Sequence, residues 1–301
     1  MSANIPTADL FRSEHMRRRR IVNWIVEGAA TVAAVLAVAL LVIVVSSVVR
    51  RGWEAINIDF FTKTQTLYSG FGPRPASGIS NAIIGTLIII GIALLMALPV
   101  GVLTAIFLNE LAPRKVASVL TLAFDVLNGI PAIVLGIFVF IFVVVGHGQA
   151  AWKASFALAI LMVPMIARST QEVLALVPAS MREASLALGA AKWRTIVSVV
   201  LPQAVGGIVT GATLATARAA GETAPLLFTS ALFSADTVSV NPNQPLASIP
   251  MFIFTSAEQA DPVLHEQAWG AAAVLIGIIL IASLIARWFA DRSVRRLKGE
   301  R

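Results

Sequence analysis

Cysteine is absent from the 301 residues, which excludes a disulfide framework, a zinc-thiolate centre, an iron-sulfur cluster and thiol catalysis. Histidine occurs three times. The pair His265-Glu266 opens like a zinc-protease motif, but Trp269 stands where the second histidine ligand belongs. Neither the phosphate-cradling loop G-x-x-x-x-G-K-[ST] nor the nucleophile elbow G-x-S-x-G occurs. An esterase therefore has no support, and a process driven by ATP needs a partner to hydrolyse it. Charge is scarce as well: 13% of the residues are Asp, Glu, Lys or Arg, against 57% hydrophobic. That charged share is about half the usual one for a soluble chain, which argues against an ordinary soluble globule. The net charge is +7 and the pI near 10.7. In a soluble domain such a balance points to nucleic acid; here its meaning depends on where the cations fall.

Long apolar runs are what the chain does have. A hydrocarbon core of about 30 Å takes about 20 helical residues, and six runs reach that length: Gly28–Val49, Ile79–Leu108, Val116–Gly146, Ala154–Val177, Ala204–Leu232 and Trp269–Ala290. Lipid satisfies no backbone polar group, so such runs form helices. The expectation is an all-α polytopic membrane bundle of six transmembrane helices spanning residues 21–290. Short tails, residues 1–20 and 291–301, flank it. The run after Arg17–Arg20 is too long for a secretory signal, and its small-residue triplet Ala37-Val38-Ala39 lies inside the run, so it reads as a retained span.

Six spans put both termini on one side. Sixteen lysines and arginines fall on that side and five, namely Arg50, Arg51, Lys63, Arg74 and Lys153, on the other. By the positive-inside rule both termini are cytoplasmic. The basic excess is thus a topology signal that also suits anionic lipid heads, with no call for nucleic acid. Two longer outer loops, residues 50–78 and 233–268, read as ordered caps or mobile loops.

The cytoplasmic segment between the fourth and fifth spans, residues 178–202, breaks the apolar pattern. Pro178 ends the fourth helix, and Ser180 with Glu183 forms a capping-box pattern that starts a short helix at Met181. Gly189 supplies a left-handed cap. A second helical stretch runs to Leu201, and Pro202 marks a turn into the fifth span. Ala184, Ser185, Ala187, Ala190 and Ala191 offer a small-residue surface for something that packs closely. The alternative is an amphipathic linker lying in the interface.

These residues carry a specific resemblance. Glu183-Ala184-Ser185, Gly189, Val199 and Leu201-Pro202 resemble the E-A-A-x3-G-x9-I-x-L-P signature of ABC-importer permeases, with Ser185 for Ala and Val199 for Ile as departures. Arg218-Ala219-Ala220-Gly221-Glu222-Thr223-Ala224-Pro225 and Asn128-Gly129-Ile130-Pro131 are similar to runs of the phosphate-specific ABC transporter permease family, on its PstA rather than its PstC branch. The likeness extends over most of the chain from the second span onward. It implies a type I ABC importer permease fold in a bacterial inner membrane and a non-catalytic subunit of a phosphate importer working by alternating access. It also implies docking of the first short helix, around Glu183, on an ATPase. The implied partners are a second, PstC-like permease, a PstB-like ATPase dimer carrying the ATP and Mg2+, and an external PstS-like phosphate-binding protein; no cofactor or metal belongs to this chain. A permease for another anion, or an ion-coupled secondary transporter, remains the alternative.

Charges inside spans cost about 2.5 to 3.5 kcal/mol on insertion scales, so they face partners or a wet path. Arg218 and Glu222, like Arg168 and Glu172, stand four apart on one helix face. Each pair either simply neutralises itself or serves the path, with Arg218 offering its fork to phosphate oxygens and Glu222 holding it between passages. Arg168 and Asp125 are further path candidates, Asp125 as counter-ion to either arginine or as a carboxylate satisfied near the start of its span. Counted along straight spans, Arg218 and Arg168 need not meet at one level. Gly206, Gly207 and Gly211 give a small-residue face suited to packing within the bundle, to a subunit interface or to a hinge.

Overall fold

The computed structural model of the chain describes residues 14–65, 77–231 and 237–298. Arg12, Arg74, Leu232 as the expected end of the fifth span, and the tail beyond Lys298 lie outside the described residues. Every regular element among the described residues is helical. The chain divides into two units, Met1–Arg50 and Arg51–Arg301. The first is dominated by α1 (Glu14–Gly52), an apolar helix long enough to cross a membrane. It begins inside the segment expected to be a tail.

The second unit opens with α2 (Ile58–Thr62), N-capped by Asn57, whose side-chain oxygen accepts the Phe60 N–H at 2.9 Å. The long helix α3 (Ser80–Ile106) follows and closes in a π-helical turn, Phe107–Leu111. Next come α4 (Arg114–Gly129) and α5 (Ala132–Val139), the latter closing in a second π turn, Phe140–Val144. The fourth span is α6 (Ala151–Leu176). Two short helices follow, α7 (Ala179–Ala187) and α8 (Lys192–Thr195), then a third π turn, Ile196–Val200, and α9 (Leu201–Ala220). The chain ends in α10 (Ala224–Thr229), α11 (Ile249–Ala257) and α12 (Pro262–Lys298).

Among the described residues five helices are long and apolar enough to span, and the bent pair α4–α5 makes a sixth when counted as one broken span. The third span is therefore not the single helix expected over Val116–Gly146. It bends by 97° between Gly129 and Ala132, because Pro131 has no N–H to continue the ladder and pushes Ile130 into an extended conformation (φ −72°, ψ 129°). The fifth span differs as well. One apolar helical run covers Lys192–Ala220, so no turn occurs at Pro202. The π turn ahead of it shifts the register, with the Leu201 N–H bonding the Ile196 carbonyl, and the proline is absorbed in the first turn of α9. The span expected to reach Leu232 stops at Ala220, and α10 is a separate helix. The last helix starts at Pro262 and passes the expected end at Ala290. Within the expected outer loops lie α2 and α11.

In lipid the hydrophobic effect does not drive helix against helix, so close approach of small side chains does. Along α3 the buried residues Ala93, Ala97, Gly101 and Ala105 recur every fourth position; along α6, Ala154, Leu158, Met162, Ile166, Thr170 and Leu174 do the same. These two stripes face each other as the most extensive helix pair of the unit. A side chain at Gly101 would meet Ile166 at 2.8 Å. On the adjoining face of α6, Gly207 and Gly211 of α9 take Val173 and Ser169 against their backbone. That pair of glycines serves packing within the bundle.

At the end of the unit opposite α7, the chain before α11 is ordered onto the bundle. The Ala151 and Trp152 N–H groups, which α6 leaves unpaired at its start, donate to the Gln244 and Pro242 carbonyls at 2.9 and 3.0 Å. Thr86 Oγ1 accepts the Ile249 N–H at 2.8 Å, and Ser230 Oγ accepts the Leu246 N–H at 2.9 Å. The described part of that loop is thus a cap. Lys153, 4% exposed, folds back to the Gly148 carbonyl at 2.7 Å.

Candidate functional site

Two helix interruptions meet halfway through the bundle. The Arg218 Nη1 lies 3.7 Å from the Met165 Sδ. Met165 is about 21 Å along α6 from Ala151 and about 17 Å from Leu176. The C-terminal end of α9 therefore lies level with the middle of α6, and Gly221-Glu222-Thr223 leads into the separate helix α10. Beside it the third span breaks at Ile130-Pro131. The upper halves, α5 and α10, pack so closely that a side chain at Gly136 would stand 2.8 Å from the Pro225 Cα. Phe140 and Phe228 meet above, with ring centroids 6.1 Å apart.

A narrow cleft lies at these breaks. It is lined by Leu127 and Asn128 from the end of α4, Met162 and Met165 from α6, and Arg218 and Glu222 from α9 and the turn after it. Broken helices at mid-membrane free backbone polar groups where they border protein or water, which is why such breaks occur at solute sites. Both sequence runs singled out for their resemblance, Asn128–Pro131 and Arg218–Pro225, fall on the two breaks.

Arg218 sits in the last turn of α9, where a cation complements the carbonyl end of the helix. Its Nε lies 3.8 Å from Glu222 Oε1, and its side chain is 57% exposed against 25% for the glutamate. At that distance the two charges attract without a hydrogen bond, and of the guanidinium nitrogens only Nη1 is engaged, on the Met165 sulfur. Arg168 follows Met165 by three residues on the same face of α6, about 4.5 Å nearer α7. It pairs with Glu172 at 3.7 Å, again beyond hydrogen-bond distance and largely exposed. The interrupted fifth span thus brings the two arginines within about one helical turn in height. Asp125 is exposed on α4, a turn before the cleft residue Asn128, and pairs with neither arginine.

At the other end of α6 and α9 lies the segment 178–202. Its first helix starts at Ala179, not Met181, with Pro178 as N-cap and no side-chain cap bond. Ser180 is inside the helix, so the capping box expected from Ser180 and Glu183 does not form. Gly189 does end that turn with φ +81° and open space around it. Glu183 and Ala184 are exposed, and Ser185 Oγ lies 2.9 Å from Thr195 Oγ1, tying α7 to α8. Val199 belongs to the third π turn. Leu201 packs with Val200, Ala204, Ala105 and Leu174 in the small core at this end, and Pro202 follows in α9.

Sequence reasoning missed Arg182. Counted only for topology, it forms a half-buried ion pair with Glu110 at 2.9 Å and reaches the carbonyls at the end of α6. Its place directly before Glu183 was the available signal; Glu110 gave none. Among the described residues no group of His, Asp and Glu could hold a metal.

A family profile described as binding-protein-dependent transport system inner membrane component matches residues 97–299. The chain is 36% identical over 281 residues to the phosphate transport system permease protein PstA 1 of Mycobacterium tuberculosis, covering 93% of this chain and 92% of that protein. It is 33% identical over 273 residues to the phosphate transport system permease protein PstA of Haemophilus influenzae, covering 90% and 94%. Among solved structures it is similar to a chain of a bacterial ABC transporter involved in the import of the acidic polysaccharide alginate, with a TM-score of 0.61 at 14% identity over 93% of this chain and 99% of that one. It is also similar to an inward-facing methionine ABC transporter, MetNI, with a TM-score of 0.53 at 21% identity over 72% and 92%. At such identities the structural likeness speaks for the fold alone.

Proposed function

The chain belongs to the binding-protein-dependent transport inner-membrane component family and, within it, to the PstA-type permeases, and from that membership we propose that it is the membrane permease subunit of an ATP-driven importer of inorganic phosphate. The observation that carries the substrate is Arg218 at mid-span, between two helix breaks, with only Nη1 engaged, on the Met165 sulfur. A guanidinium fork matches two phosphate oxygens at once. Glu222, close but not hydrogen-bonded, offsets the cation's pull after each passage, so that the path is not a permanent anion trap. Arg168, one turn nearer α7, offers a second station on the same stripe of α6.

The energy comes from elsewhere. With no phosphate loop in the sequence, ATP and Mg2+ are assigned to a PstB-like ATPase dimer that docks on α7 through the surface around Glu183. A PstC-like permease completes the path, and a PstS-like binding protein delivers phosphate from outside. The excess of lysine and arginine on the side of the termini supports a cytoplasmic position for both termini and for α7. ATP-driven closure of the ATPase pushes α7 and α8, the continuous helical run from Lys192 carries the motion to Arg218, and the path changes sides.

The test is uptake into vesicles reconstituted with the assembled complex, with phosphate, sulfate and molybdate in competition. ATP-dependent uptake that phosphate alone competes for supports the reading. Competition by another anion reassigns the substrate, and uptake by the chain without its ATPase defeats the ATP-driven reading.

A further inference from the structure

The side chains of α7 are without a buried member, so packing alone does not fix this helix to the spans. Arg182 does. Its Nε and Nη2 donate to Glu110 Oε1 at 3.1 and 2.9 Å. The same Nη2 donates to the Leu174 carbonyl at 2.8 Å, and Nη1 to the Val177 carbonyl at 2.5 Å. The side chains of the pair are 21% and 9% exposed, less than for any other ion pair described. Glu110 is itself oriented by the Asn109 amide, at 3.0 Å. One guanidinium therefore joins three elements: α7, the π turn that ends α3, and the C-terminal carbonyls of α6.

The Leu174 carbonyl accepts the Val177 N–H at 3.3 Å and takes Arg182 as a second donor. The Val177 carbonyl lies past the end of the ladder, and Pro178, next in the chain, has no N–H to give. Only a planar fork with five donors reaches a carboxylate and two carbonyls together; a lysine ammonium presents a point. One turn further along the same helix, α7 is linked to α8 by Ser185 and Thr195, and hence to the run that leads to Arg218. The helix is held by one arm on the second and fourth spans and by another on the fifth.

We propose that Arg182 is a positioning residue that transmits the displacement of α7 to the second and fourth spans through Glu110 and the Leu174 and Val177 carbonyls. This rests on the reading of α7 as the ATPase-docking helix. Without the tie, α7 follows the ATPase but turns only the fifth span, so ATP is spent without the path changing sides.

The chain contains no cysteine, which makes the tie replaceable. In the complete complex, with reactive cysteines removed from the partner subunits, Glu110→Cys and Arg182→Cys are introduced together. Phosphate moved per ATP hydrolysed is then measured before and after bridging with a short bifunctional methanethiosulfonate. The unbridged pair is expected to lose about tenfold in that ratio, and bridging to restore it. Arg182→Lys, which keeps the charge but not the fork, is expected to lower the ratio as well. Transport and hydrolysis falling in parallel at an unchanged ratio, or no recovery on bridging, overturns the proposal. So does failure of both variants to assemble, which marks the tie as a folding contact. The wild-type complex is run alongside: absence of ATP-dependent phosphate uptake there fails the transport reading itself and is distinguishable from loss of the tie.

Discussion

Arg218 meets the sulfur of Met165 at 3.7 Å, and that contact sets the depth of the site. It puts the end of α9 against the middle of α6, so the fifth span is broken at the level where the third span bends. Interrupted helices cost backbone hydrogen bonds that lipid cannot replace. Their joint occurrence around an exposed guanidinium is the structural reason to propose anion passage there.

The upper halves of the two broken spans lock through Gly136 and Pro225. Gly136→Val places a Cβ within 2.8 Å of the Pro225 Cα, a backbone atom, and is expected to destabilise the chain by about 1–3 kcal/mol. Gly28→Val, at a position with nothing within 4 Å, serves as the control. Thermal unfolding of the detergent-solubilised protein reads the difference, and equal midpoints for the two variants contradict the packing described.

Much of this architecture is legible in the sequence. Run length locates the five long spanning helices and the bent pair α4–α5 because the bilayer imposes its thickness on them, and Gly189 announces its left-handed turn because only glycine takes it freely. The break at Pro131 and the early stop at Ala220 are not legible from hydropathy, since the apolar text continues through both. The short motifs at Asn128 and Arg218 fall on the two helix breaks, but nothing in them shows that they face each other. The stripe Ala93, Ala97, Gly101, Ala105 was readable at its fourfold spacing, yet which helix it meets is a property of the tertiary fold. Glu110 was invisible, as an isolated carboxylate after a span has no pattern until Arg182 is brought to it.

Glu183 is exposed at the surface assigned to the ATPase. Glu183→Arg is expected to abolish co-purification of the ATPase while the chain remains folded, because reversing one charge at a docking face replaces attraction by repulsion. Retention of the ATPase at wild-type stoichiometry contradicts this placement.

Gly189 has φ +81° and open space beyond its Cα, so the cost of a side chain there is conformational, not steric. Gly189→Ala is expected to lose about 1–2 kcal/mol and Gly189→Asn less, since asparagine tolerates the left-handed region. Unfolding midpoints in the order Gly, Asn, Ala support the assignment, and an alanine variant as stable as the wild type contradicts it.

The central claim is that phosphate passes Arg218. The direct measurement is ATP-driven phosphate uptake by complexes reconstituted with Arg218→Ala, with ATPase co-purification measured on the same preparation. Losing two charge-assisted hydrogen bonds, each worth about 1.5–3 kcal/mol, predicts uptake reduced by about a hundredfold or more with the ATPase still bound. Uptake at the wild-type rate from an assembled Arg218→Ala complex contradicts the account.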